Sequence, residues 1–206
     1  MEIPSVNLAD FLSGDVNQKA AFVEKLGKAY EEIGFVTVKN HGVSDELIAD
    51  LYIKVQQFFS LPPEIKKRYD DPELAGQRGY TSFGKEQAKG SKAPDLKEFY
   101  QYGQVPLDNF KEENYPPNIF VKEIKGFNET FEKAYRAFET SGKALLQAIA
   151  IYLKLDEFYF DKFIYNGNSI LRAIHYPPIT SEPKTAIRAE QHEDINLITL
   201  LVGASA

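Results

Sequence analysis

Residues 17–33 place Phe22, Val23, Leu26, Ala29, Tyr30 and Ile33 at intervals that gather one apolar stripe on a helix, and Gly34 ends the pattern. Ile3-Pro4-Ser5-Val6-Asn7-Leu8 reads as a short first strand, and the β-branched and aromatic Phe35-Val36-Thr37-Val38 as a second. Asn40-His41-Gly42-Val43 predicts a turn, with Ser44 placed to cap the next helix. Leu47, Ile48, Leu51, Tyr52, Val55, Phe58 and Phe59 return to helical spacing until Leu61-Pro62-Pro63. Pro63 suits the first turn of a short helix from Glu64 to Tyr69.

Residues 70–118 keep no sustained period. They are rich in Pro, Gly and charge, with aromatic islands at Arg78-Gly79-Tyr80-Thr81-Ser82-Phe83-Gly84 and Lys97-Glu98-Phe99-Tyr100. The expectation is one long irregular segment of the kind that forms lids or binding loops. Helical spacing resumes over 119–154, a short helix is predicted near 157–164, and Ser169 to Tyr176 and Asn196 to Val202 read as strands. Strands do not alternate regularly with helices, so the fold class expected is α+β rather than doubly wound.

Composition narrows the function classes. With 43% apolar and 13% aromatic residues, the chain can bury a core. Net charge is −6 with acids and bases mixed throughout, and no basic block invites nucleic acid. No apolar run approaches the roughly 20 residues of a membrane span. The opening MEIPSVNLADFL lacks the layout of a secretory signal, so a cytoplasmic protein is expected. The absence of cysteine removes disulfides, zinc thiolates and cysteine nucleophiles. Any histidine-based metal site must draw on His41, His175 and His192.

The candidate chemistry lies in EQHEDINLITLLVG, residues 190–203. On a strand, His192 and Asp194 would share a face and offer two corners of a facial triad of two histidines and one carboxylate, a set that suits Fe(II). Three His and eleven Asp in 206 residues give about a one-in-six chance of His-x-Asp at random, so the tripeptide alone favours a solvated strand entry.

Context changes that weighting. LRAIHYPP at 171–178 and RAEQHEDINLITLLVG at 188–203, with IPSVNLADF, GFVTVKNHGVS, QQFFSLPPEIKKRY and RGYTSFGKE in order before them, resemble the isopenicillin N synthase-like non-haem Fe(II), 2-oxoglutarate-dependent oxygenases. The resemblance implies a double-stranded β-helix (a cupin-like jelly roll) behind a helical N-terminal region. Residues 1–118 would form that N-terminal region, and 119–206 the long helix and first part of the roll.

By the same resemblance His192 and Asp194 are iron ligands and Tyr176 bonds 2-oxoglutarate. Plant members often carry Asn two residues before that tyrosine; here Ile174 stands there. Arg172 is assigned to the co-substrate, Arg188 to local support, and Tyr80 and Phe83 to the substrate entrance, with a packing role weighed equally for both aromatics. His41 reads as a turn histidine and His175, alternating with Tyr176, as structural. The family also needs a second His about fifty or more residues past the Asp, and an Arg-x-Ser beyond it. Neither stands within residues 195–206, so a piece of a longer gene product is expected, with Leu197 to Val202 exposed.

The implied activity is Fe(II)- and O2-dependent hydroxylation, desaturation or cyclisation of a small molecule, with 2-oxoglutarate converted to succinate and CO2. Ascorbate is a further candidate cofactor. Two rivals stay open: a catalytically inactive oxygenase fold acting as a binding or interaction module, and another metal enzyme on a similar roll.

Overall fold

The computed structural model describes residues 2–85, 95–105, 115–180, 188, 194 and 196–202. They fall into two compact units. The first comprises Met1–Asp45, Arg136–Gly167 and Leu200–Ala206, and the second Glu46–Tyr135 and Asn168–Thr199.

In the first unit, β1 (Ser5–Asn7) pairs in parallel with β2 (Thr37–Lys39), with Val6 opposite Val38. Parallel neighbours need a crossover, and α1 (Leu8–Leu12) with α2 (Val16–Glu32) supplies it. The Asp15 carboxylate caps α2 by accepting from the Asn17 and Gln18 amides at 2.8 and 3.0 Å. Phe22, Val23, Leu26 and Ala29 form its buried stripe, and Phe22 meets Phe11 at 5.5 Å between ring centres. The N-terminal strand and second helix therefore follow their sequence patterns closely. Helix α1 was hidden because Leu8 ends the apolar run that marks β1.

The second unit is built around a three-stranded antiparallel sheet in the order β3 (Gly79–Thr81), β4 (Glu98–Gly103), β5 (Ile170–His175). Before it come α3 (Asp45–Phe59), α4 (Pro63–Lys66) and two 3-10 turns at Lys67–Tyr69 and Pro72–Leu74. One face of the sheet carries Tyr80, Tyr100, Tyr102, Leu171 and Ala173 into an aromatic core with Phe58, Phe127 and Phe131. Phe58 is fully buried, and its ring centre lies 5.0–5.9 Å from those of Phe59, Tyr69, Tyr80, Tyr100 and Phe127. Burying a side chain of this size contributes on the order of 2–3 kcal/mol.

The structure corrects the sequence reading in four places. Residues 70–118 are not irregular throughout: both aromatic islands are strands. All six residues of β4 are buried, so the strand lacks the polar–apolar alternation of a one-sided sheet. Asn196 to Val202 is not a strand, since no described neighbour supplies a ladder for it; Leu197 and Leu201 are exposed there, as expected. The long helix, α5, starts at Phe127 rather than 119 and runs to Tyr152. Gly126, at φ 78°, lies in the turn before it, where the Phe127 amide donates to the Ile124 carbonyl at 3.2 Å. The short helix near 157–164 is confined to α6 (Asp161–Ile164). Among the described residues no helix is long and apolar enough to cross a membrane.

Candidate functional site

Period two divides β5 between two environments. Leu171, Ala173 and His175 turn inward, while Ile170, Arg172 and Ile174 face outward and are exposed, as is Tyr176 one residue past the strand. The register sets Arg172 opposite Gln101, Ile174 opposite Phe99 and Thr81 opposite Phe99 on the other side. This outward face borders a cavity of about 500 Å³ whose lining includes Thr81, Phe99, Gln101, Ile170 and Arg172. The segment carrying Asp70, Asp71 and Gln77 closes its far wall.

The cavity is polar on a buried footing. Phe99 and Gln101 are each 3% exposed, although both lie on the face away from the aromatic core. Arg172 Nε donates to Gln101 Oε1 at 2.9 Å, and its guanidinium lies 4.5 Å from the centre of the Phe99 ring. Asp70 accepts from Lys85 Nζ at 2.6 Å and from Ser82 Oγ at 3.0 Å, so its charge is offset locally. Asp71 accepts from the Glu73 amide at 3.0 Å.

The core face holds a second polar constellation directly behind this one. Glu98 is 4% exposed and is gripped by three side chains. Lys66 Nζ approaches its two oxygens at 3.0 and 2.7 Å, Tyr80 donates a short hydroxyl bond, and His175 Nδ1 lies 2.8 Å away. Lys66 also donates to the Phe59 carbonyl at 3.1 Å, and the His175 ring stacks on Phe59 at 5.1 Å. Burial pushes the Glu98 carboxyl up, but the bonds from Lys66, Tyr80 and His175 and the Lys66 charge together hold it below its usual range. Burial, followed by the bond to Glu98 and its charge, pushes the Tyr80 phenol upward. The network pins β5 by His175, the residue between Ile174 and Tyr176.

Placement of the remaining candidates is uneven. His192 lies outside the described residues. Asp194 is exposed and accepts from the Thr199 hydroxyl. Arg188 Nη2 donates to the Pro177 carbonyl at 3.4 Å, next to Tyr176. Tyr80 is a core residue bonded to Glu98, whereas Phe83 is exposed. His41 Nδ1 accepts from the Val43 amide at 3.3 Å, and its carbonyl accepts from the Ser141 hydroxyl. Both belong to the first unit, and His41 serves its own turn. Among the described residues no three His, Asp or Glu side chains gather into a metal-binding group.

Sequence reasoning missed Thr81, Phe99 and Gln101. Their signal was the β-forming density of Glu98-Phe99-Tyr100-Gln101-Tyr102-Gly103, whose alternate residues divide between core and cavity. A larger hollow of about 640 Å³ in the first unit, between Val16, Val23 and Ile151–Lys154, contains none of the residues the sequence singled out as site candidates.

The donor chemistry suits the implied groups: an exposed carboxylate at 194 beside His192 in sequence, and an exposed phenol at 176. Oxygen and imidazole donors fit a divalent iron, and a phenol hydroxyl fits a carboxylate co-substrate.

The family described as non-haem dioxygenase in morphine synthesis, N-terminal, matches residues 3–123. A proline hydroxylase of Petromyces alliaceus is 32% identical over 98% of this chain and 64% of its own. A 2-oxoglutarate-dependent dioxygenase of Dothideomycetidae sp. (strain 11243) is 31% identical over 98% of this chain and 63% of its own. Among solved structures, a protein assigned to the 2OG-Fe(II) oxygenase family from Caulobacter crescentus superposes with a TM-score of 0.75 at 32% identity, covering 88% of this chain and 58% of that one. A Neurospora crassa protein solved in complex with alpha-KG and thymine gives 0.72 at 27% identity, covering 85% and 55%. The chain thus spans just under two-thirds of the length of the curated relatives it matches.

Proposed function

Because the chain belongs to the non-haem dioxygenase family whose N-terminal region its residues 3–123 match, we propose that it forms the N-terminal two-thirds of an Fe(II)- and 2-oxoglutarate-dependent oxygenase acting on a small molecule. The observation that carries this reading is the outward face of β5. It turns Ile170 and Arg172 to a cavity that Phe99 and Gln101 also line, with Ile174 and Tyr176 exposed further along the same segment, in a chain whose relatives are described as 2-oxoglutarate-dependent dioxygenases. The sheet β3-β4-β5 would be part of a jelly roll. Residues 1–118 would be the N-terminal region, and 119–206 the long helix and the start of the roll.

In this assignment His192 and Asp194 hold the metal and Tyr176 donates its hydroxyl to the co-substrate carboxylate. Bound iron, with 2-oxoglutarate and O2, supplies oxidation of a substrate C–H bond, with succinate and CO2 as co-products. The protein's own part is positioning. Glu98 and Lys66 fix His175, and so the register of Tyr176. Phe99 and Gln101 shape the cavity floor. Phe83 is exposed and keeps its assignment to the substrate entrance. Tyr80 acts through Glu98, inside the packing.

The test is calorimetric titration of the anaerobic apo-protein, as the full-length gene product carrying the second His and the Arg-x-Ser, with Mn(II), a redox-inert stand-in, with and without 2-oxoglutarate. The expected result is that each ligand tightens the other, as linkage requires, and that Asp194→Ala abolishes the coupling. Equal Mn(II) affinity with and without 2-oxoglutarate would refute the assignment and favour a non-catalytic binding module.

A further inference from the structure

We propose that Gln101 determines substrate specificity: its carboxamide N–H group receives a neutral carbonyl oxygen of the substrate in the cavity beside β5. This deepens the proposed function and rests on it.

The first observation is how the Gln101 amide is turned. Its Oε1 accepts from Arg172 Nε at 2.9 Å. An arginine nitrogen only donates, so the amide has one orientation at that contact, with its oxygen toward β5 and its nitrogen away. The nitrogen carries two donors, and among the described residues none accepts from it. Gln101 is 3% exposed, yet it lines the cavity. With its oxygen committed, the polar group it offers there is the amide N–H. A buried donor without a partner is costly, and one that borders a hollow is satisfied by what fills the hollow.

The second observation is the wall around it. The β3–β4 register sets Gly79 opposite Gln101 and Thr81 opposite Phe99, so Thr81 lies diagonal to Gln101 on the same face. The Thr81 hydroxyl likewise has no hydrogen-bond partner among the described residues, although Thr81 is buried. Gly76 leaves that hydroxyl uncovered, since a Cβ there would come within 3.2 Å of it. Phe99 and Ile170 supply apolar surface beside these two groups. An oxygen acceptor on a hydrocarbon body matches such a wall. A site that hydrogen-bonds a substrate group rejects the analogue lacking it, because its own polar group is then left unpaired.

The third observation concerns charge. The charged side chains described at the cavity are Asp70, Asp71, Lys85 and Arg172, two of each sign. Asp70 and Lys85 pair with each other at 2.6 Å. The formal charges cancel, so their sum favours neither an anionic nor a cationic head group. Selection passes to the uncharged N–H and O–H groups, whose complement is a ketone, ester or amide carbonyl.

The probes are acetophenone and α-methylstyrene, which set C=O against C=CH2 in the same shape. Both are titrated into the isotope-labelled full-length gene product, as native protein, Gln101→Met and Gln101→Glu. Ligand-observed NMR gives affinity, and the side-chain amide signals of the protein report contact. Native protein is expected to prefer acetophenone about fivefold more than Gln101→Met does, the factor one neutral hydrogen bond gives. Acetophenone alone should shift the Gln101 amide signal, a comparison that needs native protein only. Gln101→Glu is the sharper variant, since it keeps an oxygen acceptor for Arg172 Nε and deletes the donor. If Gln101 serves only to hold Arg172, Gln101→Glu retains the native preference; if it receives the carbonyl, the preference falls to that of Gln101→Met. Thermal melts check that each variant folds. An acetophenone preference undiminished in Gln101→Glu overturns the inference, and so does a Gln101 signal that moves equally with both probes or with neither. Mn(II)-coupled 2-oxoglutarate binding is measured on the same native sample. Its absence with the carbonyl preference intact would instead strike the oxygenase assignment and leave the carbonyl seat standing.

Discussion

Replacing Lys66 by Met keeps the length and apolar bulk of the side chain and deletes only its charge and donors. In the native structure the ammonium is almost wholly buried and bonds both Glu98 oxygens and the Phe59 carbonyl. The variant leaves a buried carboxylate with the Tyr80 hydroxyl and His175 for company. Breaking a buried pair from one side costs roughly 3–5 kcal/mol. A ceiling comes from proton uptake. If Glu98 escapes by taking a proton, the cost at pH 7 is set by the gap to an ordinary Glu value near 4.3, about 3.7 kcal/mol, and at pH 5 it shrinks to about 1 kcal/mol.

The pH slopes should therefore oppose each other. In native protein the Glu98 carboxyl is held low, so its contribution is present above the ordinary Glu range and is lost as pH falls through its lowered value. In Lys66→Met the carboxyl is held high, so its contribution is present at low pH and lost as pH rises. Urea unfolding followed by far-UV circular dichroism measures both, the native slope between pH 5 and pH 3 and the variant's between pH 5 and pH 7. A destabilisation below about 1 kcal/mol at pH 7, or one equal at pH 5 and pH 7, would refute the account. Adding Glu98→Gln to Lys66→Met should recover at least half of the loss at pH 7.

Gly103→Ala should destabilise the fold by about 2 kcal/mol or more, because a Cβ there would fall inside the Arg78 guanidinium. That group is 1% exposed and held by the Gln77 carbonyl at 2.7 Å and Asn168 Oδ1 at 2.6 Å, so it cannot swing aside without losing both bonds. Urea melts of the single variant and of Gly103→Ala with Arg78→Met check this, the second being expected to recover stability. Above pH 10 the protein should lose stability at up to about 1.4 kcal/mol per pH unit for each phenol pushed upward by burial. Tyr80 and Tyr100 are two such phenols, and Tyr80→Phe should make that alkaline limb shallower. An unchanged slope between pH 9 and 11 would exclude Tyr80 as a contributor.

The parts of the fold that sequence revealed are those with one wet face. Helices α2 and α3 carry charge opposite their stripes, and β5 alternates exposed and packed residues, so period alone located them. Strand β4 is enclosed on both sides and mixes Glu98 and Gln101 with three aromatics; nothing local marks those polar residues as interior. Their partners, Lys66, His175 and Arg172, lie 32 to 77 residues away. Motif spacing singled out Arg172, Tyr176 and Asp194 as candidates, and all three are exposed. The cavity floor was not legible, because Phe99 and Gln101 become neighbours of Arg172 only through strand pairing. Tyr80 and Phe83 stand three residues apart, yet one is interior and the other exposed, a difference made by the end of β3 at Thr81.

The three partners of Glu98 also impose an order on folding. Lys66 and Tyr80 precede Glu98 by 32 and 18 residues and can reach it as soon as that stretch of chain collapses. His175 comes 77 residues after it. Contacts of such separation carry a larger loop-closure cost and form after local ones. On a ribosome, where residues emerge in sequence, the carboxylate is first gripped by its early partners. The outward face of β5 gains its footing only when the imidazole docks. A nascent chain shorter than about 175 residues would hold the aromatic core half assembled, with the Phe59 ring still waiting for its stacking partner. The polar knot thus times the appearance of the cavity wall: the face that carries Arg172 and Tyr176 is among the last surfaces of this unit to exist.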